Sequence, residues 1–224
     1  MLEEKEARAA VLAAAKGMLG HRLTSGTSGN VSARLDGGTL VITPSGVPYQ
    51  DMGPGDLVVI TMAGEPVSPG AASPGTSGLV PSSEHQLHTA CYQAFPEIGA
   101  VLHSHPPYAS MFAAAREPVP AVIDEAVIFL GGDIPVAPYA ISGSAGVGTN
   151  AVWMLAQRAS ALLANHGLVT IAATPAQALH HAVVSEHCAQ VAWGTRAFGG
   201  HFPLPASTLE TFRESYRRGR HRLT

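Results

Sequence analysis

Charge is scarce in this chain of 224 residues: only 13% of it is Asp, Glu, Lys or Arg, and the formal net charge is -3. A nucleic-acid footprint needs clustered Lys and Arg, so that class of partner is excluded. The one basic run, Arg213 to Arg222, closes the chain and reads as a solvated stretch. Cysteine is scarce too. Cys91 and Cys188 lie far apart without ligand-like spacing, in helix-like segments. They read as buried thiols of a reducing compartment. No apolar run is long enough to span a bilayer, and the opening Met-Leu-Glu-Glu-Lys-Glu is too acidic for a signal peptide. The expectation is a soluble, cytoplasmic protein with no membrane partner. There is no repeat of fixed period, no Walker-type loop and no loop that opens a dinucleotide fold.

The length suits one domain over residues 1–224. Residues 3–19 form an amphipathic helix pattern, with Ala7, Val11, Ala14, Ala15, Met18 and Leu19 on one face and Gly20 at its end. Short strands follow over 39–43 and 57–62. Pro69 to Gly78, rich in small residues, reads as a mobile surface loop. Ser83 to Phe95 reads as a helix with hydroxyls at its start and Glu84 in its first turn. A strand over 100–105, a helix over 107–115, short strands over 126–129 and 134–136, and a helix over 149–157 come next. Apolar runs over 161–163 and 168–171 flank Asn165-His166-Gly167, and Thr174-Pro175 caps a long helix to about residue 198. Residues 201–224 hold a short helix over 209–216 and a mobile tail. Helices and strands alternate without a regular rhythm, which implies a three-layer α/β/α arrangement on a mixed or antiparallel sheet.

The chemistry-bearing stretch is Ala100-Val101-Leu102-His103-Ser104-His105. Side chains alternate faces along a strand, so His103 and His105 point the same way. His166 sits between two apolar runs in a similar setting. Three imidazoles and an open position make a catalytic zinc pattern, but spacing alone does not bring His166 to the pair. Glu84 is the best candidate catalytic carboxylate, and a first-turn acid that merely suits the helix dipole is the competing account. His85 and His88 read as surface or packing residues, and His180, His181 and His187 as structural or solvated. Three stretches offer hydroxyls and free backbone N–H groups that can hold a phosphate: Gly26-Thr27-Ser28-Gly29-Asn30, Thr43-Pro44-Ser45-Gly46 and Ser82-Ser83. Singly, each is an ordinary turn or cap.

In order, Gly26 to Ser32, Ile42 to Gly46, Pro81-Ser82-Ser83-Glu84, His103-Ser104-His105, Ala137-Pro138-Tyr139 and Asn165-His166-Gly167 resemble the motifs of the class II aldolase/adducin family, in its L-fuculose-1-phosphate aldolase branch. The resemblance runs from about residue 5 to 200. It implies a three-layer α/β/α fold with a central, largely antiparallel sheet. It also implies a homotetramer with active sites at subunit boundaries. By resemblance His103, His105 and His166 are zinc ligands, with manganese or cobalt as substitutes. Glu84 is the catalytic acid/base and a possible ligand of the resting metal. Thr27, Asn30, Ser45, Gly46, Ser82 and Ser83 bind the substrate phosphate. The implied reaction cleaves a ketose 1-phosphate, such as L-fuculose 1-phosphate or 5-deoxyribulose 1-phosphate, into dihydroxyacetone phosphate and a small aldehyde.

One departure stands out. Between Pro120 and Gly132 that branch places a tyrosine that protonates the aldehyde-side oxygen, and here there is none. Asp124 or Glu125 takes roughly that place, and Tyr216 is the candidate for a tail tyrosine that reaches a neighbouring subunit. Competing expectations within the fold are a 4-epimerase, a methylthioribulose-1-phosphate dehydratase and a sugar-acid phosphate decarboxylase, for which Arg116 is the nearest cation. A binding module like the adducin head, without the full metal set, is the non-enzymatic alternative.

Overall fold

The computed structural model describes residues 3–67 and 79–221, so the expected loop Pro69–Gly78 lies outside the described residues. A seven-stranded sheet has the order β3-β2-β1-β4-β7-β6-β5. Its strands are β1 (Asn30–Arg34), β2 (Thr39–Ile42), β3 (Val58–Thr61), β4 (Ala100–Ser104), β5 (Val136–Ala137), β6 (Ser160–Leu163) and β7 (Gly167–Ala172). Every pairing is antiparallel except β5 with β6. The largely antiparallel sheet expected above is therefore present.

Helices cover both faces. α1 (Glu4–Gly20), α3 (Pro107–Ala115), α4 (Asp124–Leu130) and α6 (Pro175–Thr195) pack on one, and α2 (His85–Ala94) and α5 (Ala145–Leu155) on the other. That double cover explains why β4 and β7 read as unbroken apolar runs: each is buried along its whole length. Alternation then sorts the side chains. Ala100 and Leu102 enter the core under α1 and α6, while Val101 enters the core under α2 and α5. Full burial of a side chain such as Leu102 or Ile171 contributes about 1.5–3 kcal/mol. By the same alternation His103 emerges on the α2 side.

The expected strand over Ala126–Phe129 is instead the helix α4. Two acids occupy its first turn, Ala126, Val127 and Leu130 form its buried stripe, and Gly131 ends it in the left-handed region at φ 86°. A four-residue apolar run cannot distinguish a strand from one buried turn of helix. The C-terminal stretch also differs from its expectation. α7 (Ala206–His221) is longer than the predicted 209–216 helix and packs on α4 through Tyr216, which is partly buried. Arg220 pairs with Glu97 at 3.2 Å and donates to the Leu155 carbonyl at 3.0 Å. That basic residue is an anchor of the chain end, not part of a solvated face. Among the described residues, no helix is long and apolar enough to cross a membrane.

Candidate metal centre

The site forms where β4 runs out. β7 pairs antiparallel with β4, Ser104 opposite Leu168, so the turn that precedes β7 lies beside His105. The turn Ala164-Asn165-His166 joins β6 to β7, with Asn165 left-handed at φ 55° and its N–H donating to the Ala113 carbonyl at 3.0 Å. Asn tolerates that conformation better than most residues. Gly167 permits the close approach: a Cβ there would lie 2.5 Å from the Ser104 carbonyl and 2.7 Å from the His105 ring. Gly29 plays the same part on the other side. It has φ 81°, and a Cβ there would lie 2.7 Å from the His103 carbonyl.

These constraints bring three imidazoles together. The ring centroids of His103 and His105, and of His103 and His166, are 4.7 Å apart, and those of His105 and His166 are 5.0 Å apart. One nitrogen from each ring lies within 4.8 Å of the others. His103 is fully buried, and its Nδ1 lies 2.9 Å from the Leu168 carbonyl, which accepts only from an N–H. The His103 proton is thereby committed, and Nε2 keeps its lone pair. That Nε2 faces the His105 Nε2 at 2.9 Å and the Glu84 Oε2 at 3.1 Å, while His166 Nε2 is 3.2 Å from Glu84 Oε1. Electron-rich atoms converge without enough protons to separate them, an arrangement that a divalent cation satisfies. Burial, reinforced by the neighbouring imidazoles, lowers the His105 pKa to about 4 and lowers that of His166. Both rings are neutral at pH 7, the form that ligates.

Glu84 precedes α2 and is buried on the same side of the sheet. Burial alone pushes its carboxyl upward. A positive charge at the imidazole cluster, at His103 first and then at His166, whether a proton or a bound cation, acts with the Asn30 amide to outweigh that and hold it well below the usual carboxylate range. Asn30 Nδ2 donates to Oε2 at 3.0 Å, and the Ser142 hydroxyl donates to Oε1 at 3.0 Å.

The three hydroxyl-bearing loops do meet. Thr43 Oγ1 accepts from Val31 N–H at 3.2 Å, tying the loop after β2 to β1. Ser82 N–H donates to the Thr43 carbonyl at 3.1 Å, and Ser45 N–H to the Val80 carbonyl at 3.0 Å. Thr27, Ser45, Gly46 and Ser83 are exposed there, while Ser82 is buried and accepts from Glu84 N–H at 3.3 Å. Asn30, read as a phosphate binder, spends its side chain on Glu84 and His88 instead.

The remaining sequence candidates are not gathered here. Asp124 and Glu125 are exposed on the first turn of α4, across the sheet from α2, with Glu125 near Cys188 of α6. Tyr216 lies beyond the opposite end of β4, in a cleft with Glu97, Ile98 and Ala172. Arg116 forks onto Asn165 Oδ1 with two contacts of 3.1 Å, so it braces the turn before His166. Sequence reasoning missed Ser142, for which a polar Ser-Gly-Ser turn was the only signal. It also took His88 for a surface or packing residue. His88 is fully buried and hydrogen-bonded, and its place one helical turn after Glu84 was the available clue.

Residues 9–193 match the model of the family described as Class II Aldolase and Adducin N-terminal domain. The chain is 32% identical over 217 residues to a 5-deoxy-D-ribulose 1-phosphate aldolase of Bacillus thuringiensis serovar kurstaki, covering 96% of this chain and 97% of that one. It is 33% identical over 195 residues to a 5-methylthioribulose-1-phosphate/5-deoxyribulose-1-phosphate aldolase of Rhodospirillum rubrum, covering 87% and 84%. Among solved structures, an L-fuculose 1-phosphate aldolase superposes with a TM-score of 0.86 at 30% identity, covering 95% of this chain and 96% of the other.

Proposed function

Because the chain belongs to the class II aldolase and adducin N-terminal domain family, we propose that it is a metal-dependent aldehyde-lyase acting on a deoxyketose 1-phosphate. The carrying observation is the convergence of three imidazole nitrogens within 4.8 Å of one another, two of them facing Glu84, beside loops that expose hydroxyls. Zinc suits three neutral imidazoles with room for substrate oxygens, and cobalt or manganese would be accepted as well. When bound, the ion supplies Lewis-acid polarisation of the substrate carbonyl.

The chain's own residues do the rest. The exposed groups of Thr27, Ser45, Gly46 and Ser83, at the start of α2, take the phosphate by hydrogen bonding and by the positive end of the helix. Glu84, ionised and held between Asn30 and Ser142, moves the proton. In cleavage the hydroxyl that becomes the aldehyde gives up its proton as the carbon–carbon bond breaks, and Glu84, having taken up a proton from solvent, delivers it to the carbon left behind, which yields dihydroxyacetone phosphate. In synthesis it removes that proton. General acid–base transfer of this kind contributes about 10²–10⁴-fold.

The relatives' names narrow the substrate to a ketose 1-phosphate with a deoxygenated end. Purified protein loaded with zinc is expected to release dihydroxyacetone phosphate and acetaldehyde from 5-deoxyribulose 1-phosphate, or dihydroxyacetone phosphate and lactaldehyde from L-fuculose 1-phosphate. A coupled assay that shows release from neither overturns the reading.

Assembly into a homotetramer is part of this reading. Tyr139, Ile141 and Trp153 are 56%, 72% and 76% exposed, and the loop that carries the first two also carries Ser142. Such side chains suit burial against another copy. The aldehyde-side proton donor, whether Asp124, Glu125 or Tyr216, would then come from that copy. Light scattering should return four times the chain mass, and a monomeric mass at micromolar concentration would refute it. The two buried free thiols suit a reducing cytoplasm, which cell fractionation would check.

A further inference from the structure

Behind Glu84, starting from the Asn30 amide that holds it, runs a line of polar side chains whose other members, His88, Ser32 and Tyr92, the chemistry above does not use. Asn30 Oδ1 lies 2.5 Å from His88 Nε2, Ser32 Oγ lies 2.6 Å from His88 Nδ1, and the Tyr92 hydroxyl lies 2.8 Å from Ser32 Oγ. His88 and Ser32 are fully buried, Tyr92 is 1% exposed and Asn30 2%. They come from two elements packed face to face: Asn30 and Ser32 from β1, His88 and Tyr92 one turn apart on α2. A buried run of polar groups in an otherwise apolar layer is costly unless every member is satisfied.

The direction of the chain follows from its end. A carboxylate accepts only, so Asn30 must turn Nδ2 toward Glu84. Its Oδ1 then faces His88 and needs a donor. His88 therefore carries its proton on Nε2. Burial lowers its pKa to about 3, so it is neutral and Nδ1 is left as an acceptor. The Ser32 hydroxyl donates to that Nδ1, and the Tyr92 hydroxyl donates to Ser32. Each donor points toward Glu84. With the Asn30 amide reversed, Oδ1 would meet the carboxylate with no proton between them.

We propose that His88, backed by Ser32 and Tyr92, is a positioning residue that locks the Asn30 amide with its N–H toward Glu84, and so holds the proton carrier in its working orientation. Through Glu84 this rests on the aldolase reading. His88 touches none of the imidazoles in the hydrogen bonds it makes, and of the phosphate stretches it meets only the Asn30 side chain, which is turned to Glu84, so the effect falls on turnover and spares binding.

The test compares wild type, His88→Leu, His88→Gln and Ser32→Ala by metal analysis and steady-state kinetics on a ketose 1-phosphate. His88→Leu is expected to lower kcat by roughly 10–100-fold, with KM and bound metal within about twofold of wild type. His88→Gln places an amide N–H near the position of Nε2 and should recover most of that loss. Ser32→Ala removes one hydroxyl and should lower kcat by about 3–10-fold, the worth of a single hydrogen bond. It decides the matter if His88→Leu does not fold. A kcat within twofold of wild type in the folded variants, or a Gln variant no better than Leu, overturns the proposal. If wild type itself cleaves no ketose 1-phosphate, the functional reading fails and crystal structures decide the positioning. The Asn30–Glu84 contact should survive in His88→Gln and be lost in His88→Leu, and its persistence in His88→Leu refutes the proposal.

Discussion

His103→Ala is expected to remove bound metal and activity together. Of the three imidazoles, His103 is the only one that is fully buried, and its Nε2 is the atom on which His105 and Glu84 converge, at 2.9 and 3.1 Å. Its ring is fixed by the Leu168 carbonyl, so little ordering entropy is left to lose on binding an ion. Dividing the roughly 10–16 kcal/mol of a zinc site among its donors assigns about 3–4 kcal/mol to one imidazole, a loss of about 10²–10³-fold in affinity. The variant should emerge from dialysis with substoichiometric metal and no measurable turnover. Wild type stripped by a chelator should regain activity when zinc is returned, and His103→Ala should not. One tightly held ion per chain in a folded His103→Ala protein would show that the cluster is not the metal site.

Glu84→Gln is expected to separate the two properties. Gln keeps the volume of Glu; its carbonyl oxygen can still accept from Asn30 Nδ2, and its amide N–H can donate to the Ser142 hydroxyl, which reverses its role, so both contacts of 3.0 Å that hold the carboxylate are kept. The three imidazoles are untouched, so metal should stay near one ion per chain. An amide cannot exchange a proton at neutral pH, so turnover should fall by about 10³-fold, within the range of general acid–base catalysis. Exchange of a carbon-bound hydrogen of dihydroxyacetone phosphate with deuterium oxide reads that step in isolation. Wild type should catalyse the exchange and Glu84→Gln should not. Full activity or undiminished exchange in the variant would remove Glu84 as the proton carrier.

These two substitutions fall on residues whose roles differ in how visible they are along the chain. The His103-Ser104-His105 spacing carries its own geometry, because a strand repeats every two residues whatever surrounds it. The hydroxyl caps before α2 and the turns at Gly29 and Gly46 are local in the same way. Their meeting at one end of the sheet is not. It depends on β1 pairing with both β2 and β4, which places Asn30 opposite His103 and Ser32 opposite Ile42.

The chain by itself determined the paired imidazoles, the capped entry to α2 and the apolar runs that demand cover on both faces, since each follows from the conformational preferences of neighbouring residues. Only the tertiary structure decided that His166 joins the pair, because antiparallel pairing of β4 with β7 and a glycine at position 167 set that distance. It also turned the apolar run after Asp124 into helix, since burial of one stripe against α6 outweighs any local preference of so short a segment. The line from Tyr92 through Ser32 and His88 to Asn30 joins side chains 56 to 60 residues apart. No periodicity reports such pairings, which arise only when a helix is laid on a strand in one register and buried polar groups must find each other there.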